Sequence, residues 1–271
     1  MKKPRLIYFL SGTLLAALLF GCTSEKETPQ ASNNAQGASI EDEDDLPKKD
    51  VEEEPSPQPK PQRENMSSRT PSEQDVEKIR QELLMNDKWI KLPSQFPGQQ
   101  PNQTQGSVAS NNSATYSIQY QTSTGEPLSH VTAAQYMDVQ EAVSEIEAFQ
   151  EGKTVNPSGP GVEPFRQGLS GHMKNSADQY RYSGQQNQWL VSLSSSSSTN
   201  LDQTAVIRQI AEYLKRHPLP ASADQGVVDI YYAPSSEDVT VDIRWQEGKT
   251  VYAVRTSLPP VESLQIANSM E

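Results

Sequence analysis

The chain has 271 residues, 35 of them acidic against 23 basic, for a net charge of −12. No basic stripe offsets that acidity, which argues against nucleic acid as a partner because phosphate contacts supply most of such affinity. It argues equally against docking flat on anionic lipid. A single cysteine, Cys22, excludes an intramolecular disulfide and a thiolate metal site.

Lys2, Lys3 and Arg5 open the chain, and Leu6 to Phe20 is apolar apart from Ser11, Gly12 and Thr13. That run is short for a membrane span, which needs about 20 residues, and suits the apolar core of a cleavable export signal. Leu19-Phe20-Gly21-Cys22 then resembles a bacterial lipobox, with Phe20 bulkier than the small residue of that pattern. The expectation is a signal peptide over residues 1–21, a lipid (palmitate among its acyl chains) on Cys22, and a place on the extracytoplasmic face of the cell membrane. More than one acyl chain gives stable anchoring. The other reading is a secreted protein with an incidental cysteine.

Residues 22–69 change character. Glu41-Asp42-Glu43-Asp44-Asp45 and Glu52-Glu53-Glu54 stand beside Pro55, Pro57, Pro59 and Pro61, with no apolar periodicity. Such a segment buries too little surface to offset its ordering entropy, and predicts a disordered, acidic, proline-rich tether. Solvated charge is the ordinary meaning of the acidic run; a basic partner or divalent cations are the other.

Residues 70–271 carry 23 acidic and 14 basic residues, net −9, in a length sufficient for one sizeable core or two small ones. Thr70, Pro71 and Glu73 make a capping signal, and Val76, Ile79, Leu83 and Leu84 continue it at helical spacing to about Asn86. Trp89 to Pro97 reads as extended and proline-punctuated; Gly98 to Ser113 as a long loop or a short strand. Tyr116, Ile118 and Tyr120 alternate with polar residues, the period of a half-buried strand. A second helix is expected from about Ala133 to Gln150, with Tyr136, Val139, Val143, Ile146 and Phe149 as its stripe. Pro157 to Gly171 is rich in Gly and Pro. Tyr180 and Tyr182, then Trp189, Val191 and Leu193, alternate as strands. Asn200 is placed to cap a third helix carrying Ile207, Ile210 and Leu214, ended by Pro218. Val228 to Tyr232, Val239 to Trp245 and Val251 to Val254 give three further strands, with a tight turn at Glu247-Gly248 and a last helix opened by Pro259-Pro260.

Hairpins mixed with helices predict an α+β fold: antiparallel sheet with helices packed on one face. The recurring strand–strand–helix order also admits two related subdomains divided near 155–160, a weak internal duplication.

Motifs that carry chemistry are scarce. His130, His172 and His217 lie outside metal-ligand spacing of one another, so no metal and no cofactor are expected. His217, beside Pro218, suits a helix C-terminus. Gly168-Leu169-Ser170-Gly171-His172 offers Ser170 and His172 as the catalytic candidates, although the string is not Gly-x-Ser-x-Gly. Trp189, Tyr231 and Trp245 are the binding candidates, since aromatics on an exposed sheet face serve docking; core packing is the plainer role for such residues.

Trp245-Gln246-Glu247-Gly248, Val251-Tyr252, Glu262, Leu264 and Ile266-Ala267-Asn268-Ser269-Met270 resemble the C-terminal signature of uncharacterised Firmicutes (Bacillus-type) predicted lipoproteins, similar to DUF4367-type domains. Gly168, Gly171, Tyr180, Gly184 and Trp189 resemble the same group more faintly. The resemblance implies a Gram-positive envelope and carries no catalytic residues. Together these readings lead to a non-enzymatic module that binds an envelope protein or wall component, in envelope sensing or a spore-related role. The alternatives are a carrier or sensor for a small apolar or sugar ligand, and a cell-wall hydrolase.

Overall fold

The computed structural model describes residues 73–99, 103–220, 223–234 and 238–271. The expected signal peptide, the Cys22 lipidation site, the tether and the Thr70-Pro71 helix start lie outside these residues.

Helix α1 (Glu73–Glu82) turns Ile79 inward, with Leu83 just beyond it, while Leu84 is left 67% exposed. The side chain of Asn111 clasps its end, donating to Glu82 O at 2.6 Å and accepting from Leu84 N at 2.8 Å. After a 3-10 turn at Asp87–Trp89, the chain runs extended and buries Ile90, Leu92 and Phe96. Leu92 exchanges backbone hydrogen bonds with Glu271 at 3.0 and 3.1 Å, and Pro93 bridges Met270, so the last residues are stitched onto this segment.

Ten strands follow: β1 (Thr104–Asn111), β2 (Thr115–Thr122), β3 (Pro127–Gln135), β4 (Val162–Phe165), β5 (Gly171–Asn175), β6 (Gln179–Gln186), β7 (Trp189–Ser196), β8 (Gln225–Tyr232), β9 (Val239–Glu247) and β10 (Thr250–Thr256). They form one sheet in the order β1-β2-β3-β10-β9-β8-β7-β6-β5-β4. Every pairing is antiparallel except β7–β8, which helix α3 (Gln203–Arg216) connects as a crossover. Two hairpin turns use left-handed backbone: Asn187 (φ 52°) between β6 and β7, and Gly248 (φ 57°) between β9 and β10.

Side chains alternate across the strands and give the sheet two unlike faces. One face carries Tyr116, Ile118, Val131, Tyr252, Val254, Ile243, Trp245, Val228, Ile230, Trp189, Val191 and Tyr182. It is sealed by α1, α3 and the final helix α4 (Pro260–Asn268), whose Ile207, Ile210, Leu264 and Ile266 are buried against it. Helix α2 (Val139–Gln150) lies on the opposite face, where Ala142 and Ile146 pack on Leu190, Val227 and Val251. Topology dictates that position. β3 is third in the sheet and β4 is at the far edge, seven strand spacings or roughly 34 Å away. The link crosses through α2, worth roughly 18 Å, and then a loop. That loop is pinned to β6 by Val155 N donating to Ser183 Oγ at 2.8 Å and by Arg181 donating to Gly152 O.

The α+β reading with an antiparallel sheet holds, with three helices on one face and α2 on the other. The second helix starts later than its periodicity suggests. Residues through Gln135 belong to β3, where Ala133 pairs with Tyr252 and Tyr116, and Asp138 caps α2 by accepting from Glu141 N at 3.0 Å. A run such as Val-Thr-Ala-Ala satisfies either period, and neighbouring strands decide. The loop-like stretches before Ser113 and after Pro157 contain β1, β4 and β5. Helix α3 is capped by Asp202, two residues past Asn200, through its bond from Ala205 N at 2.9 Å.

Candidate functional site

Ser170 is exposed in the loop before β5, and His172 stands half-buried on β5 between Pro164 and Ser183 of the neighbouring strands. No hydrogen bond joins the two. His217 is the C-cap of α3, with its ring stacked on Tyr213 at 4.9 Å.

The aromatic candidates divide. Trp189 and Trp245 are 2% and 0% exposed, tilted against each other at 6.2 Å in the core, and offer no surface to a partner. The Trp245 indole donates to Glu247 Oε1 at 3.0 Å, and Lys91 reaches the same oxygen at 2.8 Å. Tyr231 is 45% exposed on β8, on the same face as α2.

Sequence inspection passed over one serine–histidine contact. Ser117 on β2 lies 2.7 Å from His130 Nε2 on β3. That is a nucleophile–base distance, yet among the described residues no carboxylate is hydrogen-bonded to the imidazole. Arg255 of β10 and Gln119 of β2 hold the positions beside His130. Two adjacent alternating strands place both residues on one face, but the sequence pattern assigns no strand to Pro127–Thr132, and the end of β3 overlaps the helix expected from Ala133.

Also on this face, Asp229 of β8 pairs directly across from Asp242 of β9. Each carboxylate has its own cation: Lys153 lies 3.4 Å from Asp229, and Arg244 grips Asp242 at 3.0 and 3.1 Å while reaching Glu145 of α2 at 3.6 Å. Lys153 and Arg244 both lie over the Phe149 ring, at 4.2 and 3.8 Å. Burial pushes the Asp229 carboxyl above its ordinary value, and the Lys153 ammonium opposes that shift. The cluster works as a clamp: two cations hold α2 and its following loop down on the sheet.

α2 and its loop leave the β1–β2–β3 end of this face uncovered by any described element. Ser107, Gln119, Gln121 and Arg255 are exposed there, with Ser117, His130 and Thr132 half-buried between them. Apart from the Ser117–His130 bond, these side chains form no hydrogen bond or ion pair with other described residues. Two hollows of about 510 and 520 Å³ flank α2, one lined by Glu147, Gln150 and Glu151, the other by Tyr136, Asp138, Glu141 and Glu145. Both are open to solvent; the first exposes mainly polar surface and the second more apolar than polar surface. Among the described residues no group of three His, Cys, Asp or Glu side chains is placed to hold a metal ion, and no helix is long and apolar enough to cross a membrane.

No protein-family model matches the chain, and neither a curated protein nor a solved structure matches it.

Proposed function

We propose that the chain is a lipoprotein held on the extracytoplasmic face of the membrane through Cys22, and that its α+β domain is a non-enzymatic module binding an envelope protein or wall component. The uncovered half-face carries this reading. It presents Ser, Thr, Gln, His and Arg side chains on a rigid sheet, with donors and acceptors left unspent inside the fold. A flat, hydrogen-bonding surface of that kind suits an extended or planar partner; small apolar ligands take concave, apolar pockets. The hollows beside α2 are open, not enclosed, and so give the carrier alternative little support. The hydrolase alternative has Ser170 and His172 unjoined, and Asp229 and Asp242 each occupied by a cation. The apolar leader, the lipobox-like Leu19-Phe20-Gly21-Cys22 and the resemblance to Bacillus-type lipoproteins support the anchored location.

In-cell crosslinking of the tagged full-length protein tests the reading, with Cys22→Ser and a Gln119→Lys/Arg255→Glu double variant alongside. The expected result is one dominant adduct in the wild type, lost in both variants while the circular dichroism spectrum is retained. Radiolabelled palmitate should enter the wild type and not Cys22→Ser. Loss of function from Ser170→Ala or His172→Ala in a folded protein would overturn the non-enzymatic reading.

A further inference from the structure

The sheet has two ends, and they are built differently. β4 is an edge of four residues that include Glu163 and Pro164, the charge and proline that blunt edges against strand addition. β1 is an edge of eight residues, Thr-Gln-Gly-Ser-Val-Ala-Ser-Asn, with neither a charge nor a proline. It runs in regular register with β2 from Thr104↔Thr122 to Val108↔Ile118, and shifts only between Val108 and Ser110. In an antiparallel pair every second residue aims its N–H and C=O away from the partner. On the outer side of Gln105 to Asn111 those groups meet no backbone partner among the described residues.

A second observation lies at the C-terminal end of this edge. Leu84 is 67% exposed, one of four large hydrophobic side chains so exposed among the described residues. Its backbone is tied to β1 through Asn111, so its place is fixed relative to the open edge. Val108 of β1 and Val76 of α1 pack against the core from this side and are only partly buried. A strand added to β1 would therefore meet Val108, Val76 and Leu84 on its core side. On its other side it would extend the polar row of Gln105, Ser107 and Gln119. α1, which packs along β1, carries four acidic residues and two basic ones, and one of the basic pair, Arg80, is engaged by Asp87 and by the carbonyls of Ile90 and Glu271. The edge is thus flanked by net negative charge on a domain of net charge −9. That opposes pairing with a second copy and favours a cationic segment.

We propose that β1 is a docking edge for an extended segment of another protein, which adds as an eleventh strand with apolar residues at alternate positions and basic residues among the others. The proposal rests on the binding-module reading and names its partner class.

The test uses the full chain carrying Cys22→Ser and, as probe, a phage-displayed library of random 12-residue peptides. Enriched peptides should alternate apolar and polar residues, with Lys or Arg among the polar ones, and should slow hydrogen exchange of the β1 amides when bound. Leu84→Lys, a substitution at an exposed site, should weaken the best peptide about tenfold or more; Tyr231→Lys, on β8 and the opposite face, should leave it unchanged. Absence of enriched peptides, protection confined to other strands, an unchanged affinity in Leu84→Lys, or a β1-dependent dimer in sedimentation would each overturn the proposal. The two readings fail separately. An in-cell adduct that survives Leu84→Lys but is lost with Gln119→Lys/Arg255→Glu overturns the docking edge and leaves the module. A wild type without any adduct overturns the module, and the peptide result still decides the edge.

Discussion

Gly226→Ala should be among the most damaging single-methyl additions in this fold. Gly226 of β8 stands between Trp189 of β7 and Trp245 of β9, all three on the core face. β7 and β9 are two strand spacings apart, roughly 9.6 Å, yet the two indole centroids approach to 6.2 Å. The rings close over the place a side chain would occupy. A methyl group on Gly226 would lie 2.3, 2.4 and 2.7 Å from three atoms of the Trp189 ring. Both rings are fully enclosed and can retreat only by moving their own neighbours. Overpacking of this kind costs about 1–3 kcal/mol, and with three sub-van-der-Waals contacts to a rigid ring the upper end is expected. For a folded part of this length the midpoint falls by roughly 2–4 °C per kcal/mol, so a drop of roughly 6–12 °C is anticipated. Thermal unfolding followed by circular dichroism measures the drop, and urea unfolding the free energies. Trp189→Leu/Gly226→Ala provides the control, because the new methyl then enters vacated space. The Trp189 indole nitrogen has no hydrogen-bond partner, so its removal orphans no other group. The double variant should be less destabilised than the sum of the singles by about 1 kcal/mol or more. A Gly226→Ala protein within about 0.5 kcal/mol of wild type, or strict additivity in the cycle, would refute the steric argument.

Three further outcomes are expected. Glu247→Ala strips the acceptor shared by Lys91 and the Trp245 indole and should cost about 1–3 kcal/mol, whereas Glu247→Gln keeps an acceptor and should cost less; both are measured by urea unfolding. Asp229 has its folded-state pKa raised, mainly by burial, above an ordinary value near 3.8. Its favourable contribution is therefore complete below that value and lost as pH rises through the raised one, so Asp229→Asn should remove a negative contribution to the slope and make the acid limb of the stability–pH curve, read by urea unfolding across a pH series, steeper. Deleting Ser269 to Glu271 removes the reciprocal Leu92–Glu271 bonds and the Pro93–Met270 bridge. It should speed exchange of the Leu92 and Ser94 amides before any other region loosens.

What the sequence disclosed depended on whether one residue's environment was local. β8, β9, β10 and α4 were legible because Val239, Val241, Ile243 and Trp245 alternate over seven residues and Pro260 opens the helix. β1 was not, since Thr104 to Asn111 contains one large apolar residue, Val108, and its pairing with β2 supplies what side-chain pattern lacks. β4 and β5 were hidden in the same way by Gly and Pro. The buried state of Trp189 and Trp245 follows from Gly226 between them and from the helices that seal the core face, which the residues beside each tryptophan do not reveal. Tyr231, one residue from the fully buried Ile230 and therefore on the other side of the same strand, is exposed. The Ser117–His130 contact and the Asp229–Asp242 pair both depend on strand neighbours that a single sequence does not reveal.

The pairing of β3 with β10 joins Ser129 to Thr256 and Gln135 to Thr250, partners more than a hundred positions apart, while the other strand pairings link near neighbours in the chain. β1, β2 and β3 can assemble as soon as they are made, but the strand that completes their inner edge is the last one synthesised. At roughly 5–20 residues per second, that leaves β3 without its neighbour for roughly 5–25 s. During that interval Val131 and Ala133 lack their cover and two edges of the early meander stand open at once. The time at which this protein is most exposed to wrong associations is therefore set by its far end, by the arrival of seven residues from Thr250 to Thr256.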